Sequence, residues 1–283
     1  MIRLVLTDLD DTLIPFGVGH TSARANRAIH ALLDAGAHFG PVTGRIPASM
    51  GTMFCEDEEC YRTGAFANGQ VVSVDGKVVK RTPIEGALLR RVASLLDDLC
   101  ANAWLAIYDA DDLRNVNLVT AHPERIRANP PETWGISVFG AVPDVEDRGY
   151  LKANLQCSCD RDEMTYVRDR LRRSIPELRF VFPSMTAKVI DINPGDWEKG
   201  DSVRLIAARL GVSLDEVVVF GDSENDLSMM EAVPNSVAVA NADGSVAAAA
   251  RWHIGDVRDD AVAIALEGIA SACARGGVPS FFD

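Results

Sequence analysis

Two short apolar runs, one near each end of the 283-residue chain, break off abruptly into carboxylates, and this pairing constrains the fold more than any other feature. Arg3 to Thr7 leads into Asp8-Leu9-Asp10-Asp11-Thr12-Leu13, and Val217 to Phe220 leads into Gly221-Asp222-Ser223-Glu224-Asn225-Asp226. An apolar run without polar alternation suits a strand buried on both faces, as parallel sheets require. After the first run, Thr21 or Ser22 caps a predicted helix whose apolar positions Ala28, Ile29, Leu32 and Leu33 keep helical spacing. Gly36 ends it where a left-handed cap costs little, and a second strand is expected over Ala37 to Val42. Near the other end the pattern predicts helix Asp201 to Leu210, strand Val217 to Phe220, helix Glu224 to Ala232, strand Ser236 to Val239 and helix Gly244 to Ala250. Strands alternating with helices of this length imply an α/β class with a parallel sheet. Ligands gather beyond the carboxyl ends of such strands, and those ends carry Asp8, Thr43 and Asp222.

The middle of the chain follows another pattern. A hairpin is expected from Gln70 to Val74 and Lys77 to Lys80 around Asp75-Gly76, and Pro83 opens a helix to Leu99. Strands near Trp104 to Tyr108, Val116 to Thr120, Leu151 to Cys157, Arg179 to Pro183 and Lys188 to Ile192, with helix Arg161 to Ser174, suggest a separate α+β insertion. Asn129 to Asp147, with Pro130, Pro131 and Pro143, reads as loop with one short strand at Ile136 to Phe139. The expected division is a core of 1–82 and 194–283 with an insertion over 83–193.

A net charge of −13 argues against nucleic acid as a partner, since such binding needs clustered Lys and Arg to displace counterions. The densest basic stretch, Arg168 to Arg173, reads as a solvated helix face. No apolar run approaches the roughly 20 residues that span a bilayer, and Met1 to Asp8 runs straight into the acidic motif, so no membrane partner and a cytoplasmic location are expected. Six cysteines are too few for a disulfide scaffold and are expected reduced. Cys157-Ser158-Cys159 reads as strand packing rather than as a metal or redox pair.

Each polar motif has a chemical and a structural reading. Asp8 and Asp10 could divide the work of phosphoryl transfer, one staying ionised to attack and bind a cation while the other carries a proton; they could also form an acidic turn capping Thr12. Asp222, Asp226 and Asn225 offer hard oxygen ligands suited to Mg²⁺, or simply cap a helix. Thr43, Gly44 and Arg45 could receive an anion or make a turn. Lys199 could neutralise phosphate or stand in solvent.

In this order the four pieces resemble the haloacid dehalogenase superfamily, with its DxDxT/V strand end, Ser/Thr strand end, Lys, and GDxxxD or GDxxND loop. Asn68-Gly69, Lys199-Gly200, Asn225-Asp226 and Asn241-Ala242 extend the likeness, and the insertion is similar to the cap of the Cof-type, subclass IIB sugar-phosphatase branch. The resemblance implies a Rossmann-like core with an inserted α+β cap, and a phosphomonoester hydrolase for a small phosphorylated metabolite, such as a sugar phosphate. Asp8 would be the nucleophile and Asp10 the acid and base. Mg²⁺ would be held by Asp8, the Asp10 carbonyl and Asp222, with Asp226 a ligand through water or a support; Thr43, Lys199 and Asn225 would bind the phosphoryl oxygens. A phosphomutase or a noncatalytic sugar-phosphate-binding protein remain alternatives. In the cap, Lys152, Asn154, Thr186 and Lys188 are candidates to face substrate. Asp256 to Ala261 departs from the family pattern in lacking its Asp-Gly-Val.

Overall fold

The computed structural model describes residues 1–108, 116–120, 122, 124, 126, 139–184, 186–277 and 279. The chain forms two compact units, Met1–Lys80 with Glu198–Asp283, and Arg81–Trp197. The second unit starts two residues before and ends four residues after the expected 83–193; at its C-terminal end strand Val189–Pro194 runs on to Gly195, whose N–H donates to Glu177 O.

The first unit is built on five parallel strands: β1 (Leu4–Thr7), β2 (His38–Pro41), β14 (Val217–Gly221), β15 (Asn235–Ala238) and β16 (Trp252–His253), in the order β16-β15-β14-β1-β2. Every residue of β1 and β14 is buried, as their unbroken apolar sequences require. Helix α1 (Ala23–Asp34) carries the chain from β1 to β2; the Ser22 hydroxyl accepts the Ala25 N–H, Ala25, Ala28, Ile29 and Leu32 form the buried stripe, and Gly36 takes φ +83° beyond the end. Helices α5 (Lys199–Leu210), α6 (Leu227–Ala232) and α7 (Gly244–Ala249) flank the remaining strands, and α8 (Ala261–Arg275) packs along α1. The order matters for function. β1 continues to β2 on one side and pairs with β14 on the other, with Thr7 opposite both Pro41 and Phe220, so the residues after all three strands emerge at one edge.

After a short helix, α2 (Met50–Met53), a small antiparallel sheet lies beside this one, with β3 (Gly64–Phe66), β4 (Val71–Val74) and β5 (Lys77–Arg81). Asp75 and Gly76 take φ of +50° and +76°, the two left-handed positions a tight hairpin needs. β3 has no counterpart among the sequence expectations. Three residues of Gly-Ala-Phe carry no alternation, and the strand exists because it pairs with Val72 and bridges to Val42.

The second unit is built on a six-stranded sheet: β7 (Ala103–Tyr108), β8 (Val116–Val119), β9 (Phe139–Val142), β11 (Ala153–Cys157), β12 (Leu178–Val181) and β13 (Val189–Pro194), ordered β12-β13-β11-β7-β8-β9 and antiparallel except for β8 with β9. The expected strand at Ile136 to Phe139 falls largely outside the described residues, and Phe139 opens β9. Helices α3 (Gly86–Leu99) and α4 (Arg161–Ser174) bury Leu89, Val92, Leu96, Met164, Val167 and Leu171 against Leu105, Leu155, Phe180 and Ile190. α3 begins after Pro83 because Ile84–Glu85 (β6) pairs with Gly149–Tyr150 (β10), and a Cβ at Gly86 would lie 2.1 Å from Glu146 O. The basic side of α4 is less solvated than its sequence suggests: Arg161 and Arg168 lie 3.8 and 4.5 Å over the Phe182 ring, and Arg172 Nε donates to Phe180 O. Among the described residues no helix is long and apolar enough to cross a membrane, and all six cysteines are free.

Candidate active site

The edge where β1, β2 and β14 end collects the polar residues that the sequence scatters. Asp8, the first residue beyond β1, is 3% exposed, and its N–H donates to Phe220 O at 2.9 Å, continuing the sheet. Its Oδ1 accepts from Lys199 Nζ at 2.6 Å, and the same ammonium donates to Asp226 Oδ1 at 2.6 Å. Lys199 opens α5, which begins two residues earlier than expected (199 against 201), behind a capping box of Glu198 and Asp201. At 1% exposed it is the opposite of a solvated lysine.

Asp226 is held from both ends. Its Oδ2 accepts the N–H groups of Asp222 and Ser223 at 2.9 and 3.1 Å, while Oδ1 is taken by Lys199. Its carboxylate is thus placed to shape the loop and hold the lysine. Asp222 accepts from Thr12 Oγ1 at 2.6 Å and from Ser223 Oγ at 2.5 Å, one bond to each oxygen. Asp8, Asp222 and Asp226 bring carboxylate oxygens within 4.8 Å of one another, with one ammonium among them.

Burial, then the charges of Asp226 and Asp222, push the Asp8 carboxyl well above the usual range despite the opposing Lys199. Asp222 is pushed up to about 8, first by burial and then by Asp226. Burial works against charge on Lys199, but Asp226 and Asp8 outweigh it and hold the ammonium above its ordinary value. Buried carboxylates that exceed the local positive charge call for a cation. The donors are all oxygen, which suits a hard divalent ion of the Mg²⁺ kind. Asp8 accepts one of these hydrogen bonds and Asp222 two, against three on Asp226, so the lone pairs left for it are mainly on Asp8 and Asp222.

Asp10 is partly exposed and its carboxylate is gripped by the Arg45 fork, Nε to Oδ2 at 2.8 Å and NH2 to Oδ1 at 2.7 Å. Arg45, expected at an anion, therefore faces an acid of the site here. Thr43 is fully buried; its Oγ1 accepts the Arg45 N–H at 3.1 Å, and Gly44 lies in the bend between them. Thr43 is stitched to β3 and the turn after it, donating to Ala65 O and accepting from Asn68 N, each at 2.9 Å.

Four positioning residues went unassigned in the sequence. Thr12 and Ser223 orient Asp222. Asn68 sits in a left-handed run with Ala67 and Gly69, and its Oδ1 accepts from Asn225 Nδ2 at 3.2 Å. Asn225 Oδ1 is buried with no hydrogen-bond partner. Asn241 clasps the loop after β1, donating to Asp11 O at 2.7 Å and accepting from Val257 N at 3.0 Å. Asp11 takes φ +60°, as a tight acidic turn demands. Asn68 and Asn241 stood in the family likeness, and that was their signal. The divergent Asp256 to Ala261 stretch still closes the core: Asp256 caps a short 3₁₀ turn, and Asp260 takes the left-handed position before α8.

The candidates in the second unit make the following contacts within it. Lys152 makes a buried ion pair with Asp191 at 2.6 Å, and Asn154 bonds Tyr108 and Gln156 on the same face of β11. Lys188 Nζ donates to Cys159 O, and Thr186 bonds Ser184.

Comparison with known proteins bears on the family of the chain. The family of haloacid dehalogenase-like hydrolases matches residues 5–266. A phosphoglycolate phosphatase of Halobacterium salinarum is 38% identical over a stretch covering 28% of this chain and 36% of that protein, so the chain matches about a third of that relative's length. A 5-amino-6-(5-phospho-D-ribitylamino)uracil phosphatase of Bacillus subtilis is 24% identical over 85% of this chain and 88% of its own. A solved subclass IIB sugar phosphatase superposes with a TM-score of 0.73 at 18% identity, covering 94% of this chain and 99% of that one, a likeness of fold. The paired acidic strand ends, the buried lysine and the match over nearly the whole chain place this protein in the haloacid dehalogenase-like hydrolase family.

Proposed function

We propose that the protein is a magnesium-dependent phosphatase that cleaves phosphomonoesters of small metabolites, sugar phosphates foremost, through an aspartyl-phosphate on Asp8. The observation that carries this reading is the excess of buried carboxylate around Lys199: Asp8, Asp222 and Asp226 share one ammonium at the carboxyl edge of the sheet. Asp8 and Asp222 would hold Mg²⁺ with the Asp10 carbonyl; when bound, it offsets the repulsion between carboxylate and phosphate.

The chain's own residues supply the rest. Lys199 fixes Asp8 through Oδ1, which leaves Oδ2 as the attacking oxygen. As the bond from Oδ2 to phosphorus forms and the bond to the leaving oxygen breaks, Asp10 gives that oxygen its proton. Asp10, now a carboxylate, then takes a proton from the water that attacks the aspartyl-phosphate, releasing inorganic phosphate and restoring Asp8. Thr43 Oγ1 and Asn225 Nδ2, whose second N–H is not given to Asn68, donate to non-bridging oxygens. A phosphate entering beside Thr43 competes for the Arg45 guanidinium, and Asp10, so released, takes from solvent the proton that it then gives to the leaving oxygen. The substrate identities of the relatives, phosphorylated small molecules each, support the class and leave the member open.

The test is a panel of sugar phosphates and phosphorylated cofactors with Mg²⁺, comparing the wild type with Asp8→Asn. Phosphate release by the wild type and its loss in the variant are expected. No release from any substrate, or full activity in Asp8→Asn, contradicts the proposal.

A further inference from the structure

Three cysteines and a carboxylate converge inside the second unit, and the phosphatase reading uses none of them. Cys100 caps the carboxyl end of α3, Cys157 ends β11, Cys159 lies in the turn before the Asp160 cap of α4, and Glu163 stands in the first turn of α4. Cys100 Sγ lies 3.1 Å from Glu163 Oε1, and the Cys100 and Cys159 sulfurs and a Glu163 oxygen all lie within 4.8 Å of one another. Cys157 stands two residues before Cys159, at the end of β11. All three thiols are free and buried, while Glu163 is half-buried and gives the cluster an open side.

Ordinary packing explains one thiol, and even the Cys157-Ser158-Cys159 pair, but not a carboxylate aimed at the cluster from a second helix. Such a group loses hydration and must recover it in a specific contact. Thiolates with one carboxylate are a donor set that zinc uses, and the sulfur excludes a preference for Mg²⁺ or Ca²⁺. With metal–sulfur bonds near 2.3 Å, the sulfurs of a tetrahedral site lie about 3.8 Å apart. Ligand atoms within 4.8 Å are therefore about an ångström from closure. The Lys188 ammonium, which donates to Cys159 O at 2.5 Å, supplies positive charge beside what would be an anionic ligand set.

We propose that Cys100, Cys159 and Glu163, with an exchangeable water as fourth ligand, form a binding site for a soft divalent cation of the zinc type, which ties the end of α3 to the turn between β11 and α4. Each ligating thiol releases its proton to solvent as the metal–sulfur bond forms. The site is separate from the acidic cluster of Asp8, Asp222 and Asp226, which contains no sulfur.

The test uses the full chain, reduced, stripped with a chelator and titrated with Cd²⁺, whose thiolate complexes absorb in the ultraviolet while carboxylate complexes do not. One thiolate-bound Cd²⁺ per chain is expected, with Zn²⁺ displacing the band in competition. Cys159→Ser should weaken binding by more than the roughly 10–100-fold typical of losing an outer partner of a ligand, and Glu163→Gln should also weaken it. Cys60→Ser, at the His30 and Asp57 cluster of the first unit, should leave the band unchanged. Circular dichroism checks that each variant is folded. No thiolate band in the wild type overturns the proposal, whatever the variants do. So does a band that survives Cys159→Ser or is lost in Cys60→Ser, or a reduced protein that forms a Cys100 to Cys159 disulfide with peroxide yet binds no Cd²⁺.

Discussion

Each unit buries one lysine ion pair, and the two differ in charge balance. Lys152 meets Asp191 at 2.6 Å, cation against anion, on a sheet face it shares with Asn154 and Gln156. Lys199 meets Asp8 and Asp226, with Asp222 beside them, so three carboxyl groups share one ammonium. A balanced pair can be accounted for by folding alone, since each charge offsets the desolvation of the other. An unbalanced one leaves a demand that folding does not meet, which is where a cation and a phosphoryl group can be bound and turned over. The contrast supports the proposed placement of chemistry in the first unit by electrostatics as well as by motif.

Substitution of both lysines breaks or sharpens this contrast. Lys199→Met should lower turnover by roughly a thousandfold or more, because it removes the charge that fixes the proposed nucleophile. Lys152→Met should cost stability, about 3–5 kcal/mol from stranding Asp191, while a small aryl phosphate is still hydrolysed at a rate within about tenfold of wild type. Denaturant unfolding and steady-state kinetics on the two variants separate the effects; equal losses of turnover would erase the distinction. Thr12→Val, which strips a 2.6 Å hydrogen bond from Asp222, should cost about 1–3 kcal/mol and raise the Mg²⁺ concentration needed for half-maximal activity about 10–100-fold.

Asp222 also gives the first unit a pH dependence. Its folded carboxyl is pushed up to about 8, above the ordinary value of roughly 4. The folded state therefore holds a proton that the unfolded chain gives up, so this contribution is fully present below about pH 4 and lost as pH rises toward 8. Metal-free protein should melt a few degrees lower at pH 8 than at pH 6, and Mg²⁺ should restore more at pH 8, where it displaces fewer protons. A flat metal-free melting curve across that range would contradict the assignment. The smallest effect belongs to the exposed Arg24 and Glu267 pair between α1 and α8, where Arg24→Ala should change stability by less than about 1 kcal/mol.

What could be read from the sequence follows from what is local. Asp8, Thr43 and Asp222 were legible because parallel strands deliver their carboxyl ends to one edge, so an apolar run followed by an acid already implies a position. Helix α4 was legible to the residue, since Asp160 caps it and Met164, Val167 and Leu171 keep its period. β3 and the β6 pairing were not, because a strand of two or three residues exists only through a partner far along the chain. Asn68 needed the left-handed turn that points it at Asn225, and the Arg45 fork on Asp10 needed a rotamer that spacing does not encode. The thiol cluster failed for the same reason: Cys157-Ser158-Cys159 is visible, but Cys100 and Glu163 arrive from other elements.

The account rests on Asp8, and the most direct measurement is to trap the phosphorylated enzyme. Wild-type protein mixed with Mg²⁺ and a turned-over phosphate ester, quenched in acid within the first turnover and digested, should carry one acid-stable, base-labile phosphoryl group on the peptide containing Asp8; Asp10→Asn should accumulate more of it, because the intermediate is then hydrolysed slowly. A phosphoryl group found on a different residue, or a full burst of product with no phosphorylated peptide at any time, would contradict Asp8 as the nucleophile.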